Sequence, residues 1–328
     1  MVRGRVIKLD RGFPLVLTQD GKKYRCKHAT ALVKEQQQRA VIGDWVELDI
    51  PEGHDKAIIE SIVDRRNSLV RKDPAEQTLS QVLAVNFDIV FIAQPLSDIN
   101  LRRLERELVI AHETGAEVII LLTKADLACN EAEVEATVAR VQELLNDEIL
   151  LVVSSEDAAS IEAVRRHLPE NKIAVLIGKS GVGKSSLVNL LVGEEIQDTM
   201  AVRETDGRGR HTTVSREMIE IPSGGAIIDM PGVRGLGLWD ADTGLETAFA
   251  DIEELAQQCK FRDCRHGEEP GCKVREAFED GVLSEARLSS YRALKQETED
   301  IKERRRENAH AQKRAVRGSR TTVHRKQK

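Results

Sequence analysis

The sequence predicts a multidomain chain: a small all-β barrel at the N-terminus, a central α/β segment on a parallel sheet, and an α-helical C-terminal segment. Three observations carry this prediction. Residues 1–66 hold about five short apolar runs separated by turn signals, and residues 87–232 alternate apolar strand patterns with amphipathic helix patterns. Near the C-terminal end, three cysteines and one histidine fall within fourteen residues, a metal-ligand density, with helical spacing after them.

Composition narrows the function classes. A chain of 328 residues has room for two or three cores, and 41% hydrophobic with 32% charged residues suits a globular protein. Aromatics are only 3%, which leaves few platforms for stacking bases. No apolar run approaches the roughly 20 residues that span a bilayer. Met1-Val2-Arg3-Gly4-Arg5 lacks the apolar core of a secretory signal. A cytoplasmic protein without a membrane partner is expected. The net charge of −6 is uneven: about +5 over residues 1–72, about −13 over 73–240 and about +2 beyond. Basic flanks around an acidic middle suggest a polyanion held outside the catalytic segment; ordinary variation in surface charge is the alternative for either flank alone.

In the N-terminal segment, Val6-Ile7-Lys8-Leu9 and Phe13 to Leu17 read as strands, and Asp20-Gly21 marks a hairpin before Lys22 to Lys27. Gly43 to Leu48 and Lys56 to Glu60 add two more. Five short strands in this length fit an OB-type barrel, a scaffold that often holds single-stranded nucleic acid in a basic groove. Basic residues are plentiful here, whereas Phe13, Tyr24 and Trp45 are the whole aromatic supply, so contact with a structured RNA backbone is favoured over sequence reading. Residues 65–72 read as a polar, basic connector.

The central segment, 67–240, is organised around Gly178-Lys179-Ser180-Gly181-Val182-Gly183-Lys184-Ser185, which fits G-x-x-x-x-G-K-[ST]. The apolar run Ile173 to Ile177 precedes it and a helix from Ser186 follows, so strand, glycine loop and helix stand in the order that cradles phosphates on main-chain N–H groups. Lys184 is placed to bridge β- and γ-phosphates and the Ser185 hydroxyl to hold Mg²⁺; Ser186 continues the loop. Upstream, strands at 87–93, 117–122 and 149–153 alternate with helices at 100–114, 131–146 and 158–167. Thr123-Lys124-Ala125-Asp126 after the second strand is similar to the N-K-x-D box that reads guanine, with Asp126 as the carboxylate accepting two hydrogen bonds that adenine cannot offer. Thr123 departs from the usual Asn, whose amide tethers neighbouring loops. Ser154-Ser155 sits where a backbone N–H meets the guanine carbonyl. Downstream, the loop 203–213 contains His211, Thr212 and Thr213, one threonine being expected to complete the Mg²⁺ shell. Asp229-Met230-Pro231-Gly232 then supplies Asp229 to support the metal and the Gly232 N–H to meet the γ-phosphate. GTPases usually place the guanine box after the switches; here it precedes the phosphate loop, as in a circularly permuted sheet.

In the C-terminal segment, 241–328, Cys259, Cys264, His266 and Cys272 match a closed Cys₃His zinc site, which predicts one structural Zn²⁺. Helical spacing returns at 274–278 and 284–308. From Lys302 the tail is dense in Arg and Lys, a composition that is typically disordered in isolation and binds polyanions such as RNA.

Taken together, these residues and their permuted order resemble the ribosome small-subunit-dependent GTPase A family (RsgA, YjeQ or EngC) over essentially the whole chain. The resemblance implies an OB barrel, a circularly permuted GTPase and a zinc-binding helical domain. It further implies GTP hydrolysis in late maturation of the small (30S) ribosomal subunit, stimulated by that subunit, with its 16S-type rRNA, GTP and GDP as partners of a monomeric protein. Val233 stands where Ras-type enzymes place a water-orienting Gln, so His211 is expected either to orient the attacking water or only to pack or touch RNA. Two other readings are a P-loop ATPase or small-molecule kinase unrelated to ribosomes, and an RNA-binding assembly factor that uses the nucleotide only as a latch.

Overall fold

The computed structural model describes the chain except for residues 11–12, 35–37, 52–55, 73–79, 194–215, 231–236 and 326–328; side chains are described outside residue 10 and residues 311–325. The described residues form two compact units, one of residues 1–70 with 82–236 and one of 71–81 with 237–328.

The barrel at the start of the first unit is made by β1 (Val2–Asp10), β2 (Phe13–Thr18), β3 (Lys23–His28), β4 (Trp45–Asp49) and β5 (Lys56–Ile62), with a short helix α1 (Thr30–Lys34) after β3. Pairing runs β1–β2–β3–β5–β4, and β4 returns to β1, which closes the sheet. The alternating residues foreseen from the sequence turn inward: Val6, Val16, Cys26, Val46, Leu48, Ala57 and Ile59 are buried together, with Leu32 of α1 among them. Each large aliphatic in that set contributes about 1.5–3 kcal/mol by leaving water. Asp44, fully buried, is held by a two-pronged bond from Arg65 at 2.8 Å on each oxygen and by the N–H of Val41.

Next come β6 (Ser68–Lys72) and β7 (Ser80–Val85), a separate two-stranded sheet where the sequence suggests only a polar connector. Leu69 and Leu83 explain the difference, since both are fully buried and need an ordered backbone around them. The main sheet then contains β8 (Ile89–Pro95), β9 (Glu117–Thr123), β10 (Ile149–Val152), β11 (Ile173–Ile177), β12 (Arg216–Glu220) and β13 (Ala226–Asp229). Their order is β10-β9-β8-β11-β13-β12, parallel through β13 and antiparallel at β12. Helices α2 (Leu101–His112), α3 (Glu131–Gln142), α4 (Ala158–Arg166) and α5 (Lys184–Val192) alternate with these strands. Asn100, Asn130 and Asp157 cap the first three by accepting from an N–H of the first turn.

The barrel is joined to this sheet. Strand β1 pairs antiparallel with β12 at Lys8↔Glu217 and Leu9↔Arg216, giving one sheet of eleven strands. A second joint forms at Asn86, whose φ of 56° turns it into the left-handed region. Its carbonyl accepts from Arg5 at 2.6 Å, its side-chain amide donates to the Gly43 carbonyl, and its side-chain oxygen accepts from the Arg66 N–H.

The second unit carries helices α6 (Asp242–Ala248), α7 (Ala250–Ala256), α8 (Lys273–Glu279) and α9 (Glu285–Arg325). Phe249, Ile252, Val274, Leu288, Tyr291 and Leu294 are buried in it, and the Phe249 and Tyr291 rings meet edge to face at 5.4 Å. Arg287, also buried, bonds the Ala248 carbonyl and Asp251 while lying 4.2 Å over the Phe249 ring. Helix α9 continues well past the expected end at 308. The stretch past 308 is rich in Arg, Lys and Ala, strong helix formers, and carries no proline. Among the described residues no helix is long and apolar enough to cross a membrane.

Candidate nucleotide site and metal centre

The phosphate loop leaves the carboxyl end of β11, a central strand buried along its whole length between β8 and β13. Gly178 has φ of 142°, and a Cβ there would stand 2.4 Å from the Ala93 carbonyl oxygen, so the loop can rest on the end of β8 only as glycine. Gly183, with φ of 97°, makes the turn into α5 and leaves the first N–H groups of that helix free for an anion. Lys184 donates to the carbonyls of Gly178 (2.8 Å) and Lys179 (2.9 Å). Burial lowers its pKa, offset in part by the carboxylates of Asp229 and Glu107. Asp229 ends β13, buried and in register with Leu176 of the loop-bearing strand. Ser185 and Ser186 lie half-buried in the first turn of α5.

Beside the loop is a pocket of about 170 Å³ with Asp126 and Ser155 on its polar edge and Ile161, Leu187 and Leu190 among its apolar walls. A flat polar ring suits such a slot, apolar on its faces and hydrogen-bonded at one edge. Lys124 sits at φ of 59°, an uncommon conformation for a side-chain-bearing residue, and starts the tight turn that aims Asp126. One oxygen of Asp126 accepts from the Ser154 hydroxyl (3.1 Å), the Ser155 N–H (3.1 Å) and the Ser155 hydroxyl (3.3 Å). Burial pushes the Asp126 carboxyl up, but those bonds outweigh it and hold its pKa below the ordinary value. The carboxylate is therefore ionised at neutral pH, as an acceptor for two N–H donors must be.

Thr123 answers the question raised by its departure from Asn. It is buried, and its hydroxyl lies 2.5 Å from the Val182 carbonyl of the phosphate loop and 3.1 Å from the Gln94 carbonyl. A hydroxyl has one hydrogen, and the shorter contact takes it. The threonine thus ties the Thr123–Asp126 box to the Gly178–Ser185 loop, the tethering expected of the Asn amide. His211, Thr212, Thr213 and Gly232 lie outside the described residues. A buried pair that the sequence reading did not single out stands behind this site: Gln94 donates to Glu107 at 2.5 Å. The signal available was a glutamine closing an otherwise apolar strand.

In the second unit, the ligand atoms of Cys259, Cys264, His266 and Cys272 lie within 4.8 Å of one another. The Cys259 and Cys272 sulfurs are 3.9 Å apart, and His266 Nδ1 lies 3.7 and 3.6 Å from them. A tetrahedron with metal–sulfur bonds near 2.3 Å and a metal–nitrogen bond near 2.0 Å has edges of about 3.8 and about 3.5 Å. The three measured distances fit a tetrahedral ion bound by His266 through Nδ1, and with the Cys264 sulfur within 4.8 Å of the others the four residues can hold a metal ion. Cys272 also caps α8, accepting from the Arg275 N–H, and His266 takes φ of 60° to turn its ring inward.

A family model for RsgA GTPase matches residues 62–239. Over 304 residues the chain is 39% identical to a small ribosomal subunit biogenesis GTPase RsgA of Streptomyces coelicolor, covering 92% of this chain and 81% of that protein. A protein of the same description from Xanthomonas axonopodis pv. citri is 42% identical over 269 residues, 81% of this chain and 72% of its own. Among solved structures, YjeQ from Thermotoga maritima superposes with a TM-score of 0.66 at 26% identity, covering 88% of this chain and 95% of its own. YloQ, described as a circularly permuted GTPase, superposes at 0.64 and 25%, covering 93% of this chain and 96% of its own. The order of guanine box, phosphate loop and Asp229 along one sheet edge agrees with that description, and the chain, a GTP-hydrolysing enzyme, belongs to the RsgA GTPase family.

Proposed function

We propose that the chain acts in late maturation of the small (30S) ribosomal subunit, binding its 16S-type rRNA and coupling nucleotide state to binding and release, with turnover stimulated by the subunit. One observation supports the reading: the Asp126 carboxylate and the Gly178–Ser185 loop lie at the carboxyl ends of strands of one sheet, and that sheet runs on into a basic barrel. The relatives' names, which specify biogenesis of that subunit, support the target. Family membership stands against the ATPase or kinase reading. The division of labour is a barrel at 1–66 for RNA, a GTPase at 67–240 and a metal-binding helical part with a basic tail at 241–328, in a monomeric, cytoplasmic protein.

In this reading Gly178, Lys179, Ser180, Gly181, Val182, Gly183, Lys184, Ser185 and Ser186 hold the phosphates. Lys184 exchanges the carbonyls of Gly178 and Lys179 for phosphate oxygens, so the loop is already shaped around its ammonium. Thr123, Lys124, Asp126, Ser154 and Ser155 select guanine, Asp126 accepting from the ring and the Lys124 stem lying along it. Ser185, Asp229 and one of Thr212 and Thr213 would hold Mg²⁺, which neutralises charge on the phosphates when bound. The Gly232 N–H meets the γ-phosphate, and His211 orients the attacking water when the subunit is bound. Cys259, Cys264, His266 and Cys272 hold one structural Zn²⁺, the ion whose tetrahedral edges fit the distances above.

The test is GTP turnover with and without purified small subunits, for the parent chain and Asp126→Asn. Stimulation of the parent, with GTP-over-ATP preference lost in the variant, is the expected result. Turnover indifferent to subunits sinks the ribosomal assignment, and an unchanged preference sinks the guanine box.

A further inference from the structure

We propose that Glu107 is a positioning residue of the phosphate site: it clamps Gln94 and so fixes the floor on which the phosphate loop rests, and its carboxyl joins Asp229 as a second counter-charge behind Lys184. The inference rests on the reading of Gly178–Ser185 as the phosphate site.

The floor is the end of β8. Gly178 presses against the Ala93 carbonyl. One residue on, the Gln94 carbonyl lies 3.1 Å from the Thr123 hydroxyl, which itself bonds Val182 of the loop, and the Leu96 N–H donates to the Thr123 carbonyl at 2.9 Å. Strand pairing holds only the Gln94 backbone; its side chain is held by Glu107, projecting from α2 where this helix packs on β8 and β9. Gln94, Glu107 and Thr123 are 1%, 5% and 3% exposed, so the row from α2 to the loop runs through the interior.

A buried carboxyl is a costly way to hold an amide, since a neutral acceptor would do the same. Its position explains it. The charged groups facing Glu107 are Arg103, one turn back on α2, and Lys184 at the head of α5, with the neutral Gln94 facing it from β8. Burial pushes the Glu107 carboxyl up to about 7 against the opposing pull of Gln94, Arg103 and Lys184. Its charge, together with the larger contribution of Asp229, offsets that of Lys184. When phosphates bring their own negative charge to Lys184, the charged form of Glu107 is opposed and the protonated form favoured. Nucleotide binding therefore takes up a proton at Glu107, and affinity falls as pH rises through the neutral range.

The test is binding of GDP carrying a fluorescent ribose label to the full chain between pH 6 and 8.5, for the parent, Glu107→Gln, Glu107→Leu and Lys184→Ala. The expected parent affinity weakens relative to Glu107→Gln as pH rises, by at most about tenfold per pH unit. Glu107→Gln, which can still accept from Gln94, keeps tight binding without that slope; Glu107→Leu, which cannot, binds more weakly at every pH. Superimposable parent and Glu107→Gln profiles overturn the counter-charge, and parent-like affinity in a folded Glu107→Leu overturns the clamp. Should Glu107→Leu not fold, Gln94→Leu, which removes the other partner of the same bond, takes its place, and parent-like affinity in it overturns the clamp. A parent that binds no GDP, or a Lys184→Ala that binds as well as the parent, overturns the phosphate-site reading itself and this inference with it.

Discussion

Replacing Thr123 by Val removes one hydroxyl and almost nothing else, since the two side chains share a shape. The lost interaction is the 2.5 Å bond to the Val182 carbonyl, between residues 59 apart in sequence and wholly inside the protein. A buried carbonyl deprived of a donor costs about 1–2 kcal/mol, because water cannot reach it to compensate. The bond joins the guanine box to the phosphate loop, so the cost falls on the conformation that receives nucleotide. About 1–2 kcal/mol corresponds to a roughly 5- to 30-fold weaker affinity for GDP or GTP. Thr123→Ser keeps the hydroxyl and Thr123→Asn supplies an amide donor; both are expected to bind more tightly than Thr123→Val. The assay is equilibrium titration with fluorescent GDP, with the melting temperature recorded for each variant. For a unit of this size each kcal/mol taken from the fold moves Tm by about 2–4 °C, which separates a loss of stability from a loss of site geometry. Thr123→Val with parent affinity and parent Tm would refute the tether.

Other expectations follow from the same geometry. Purified protein should carry one zinc per chain by elemental analysis, and a strong chelator or Cys272→Ser should lower the thermal transition; protein free of metal with an unchanged transition contradicts the Cys₃His assignment. His112 and Glu148 form a bond of 2.6 Å between the end of α2 and the start of β10, with side chains 13% and 6% exposed. Glu148→Gln should cost about 1–3 kcal/mol near pH 7, read by denaturant unfolding. Burial raises the Glu148 carboxyl, but His112 and the Asn146 N–H outweigh it and set the pKa below the ordinary 4.5. A depressed folded value stabilises above the unfolded pKa and is lost as pH falls through the folded one, so the difference between parent and variant should shrink below about pH 4.5. A difference that grows on acidification contradicts this. His211→Ala should lose subunit-stimulated turnover while retaining GDP affinity; full stimulated turnover removes the water-orienting role.

Much of the site was legible before any fold was built, for a local reason. A phosphate loop is contiguous because adjacent N–H groups must converge on one anion, so its glycines, Lys184 and Ser185 appear as a single motif. The Cys₃His cluster is legible because its four candidate ligands sit close in sequence. Strand and helix alternation was equally plain from 87 to 192, where apolar runs of period two or 3.6 need no partner to be recognised. The connector at 65–72 was misjudged because strand β6 shows its reason, the burial of Leu69, only once the fold surrounds it.

What the sequence by itself determined is therefore a set of contiguous motifs and their permuted order: the Gly178–Ser185 loop, the box ending at Asp126, and the cluster of three cysteines with His266. Only the tertiary structure decided how those parts are held. It placed β1 on β12, although Leu9 and Arg216 are far apart in the chain, and so merged barrel and catalytic sheet. It gave Thr123 a bond to Val182 in place of the one expected from Asn, and it buried Gln94 and Glu107 together behind the loop. The physical reason is common to all three. Buried polar groups and edge strands must find partners, and a partner many residues away leaves no periodicity or spacing in the sequence from which it can be read.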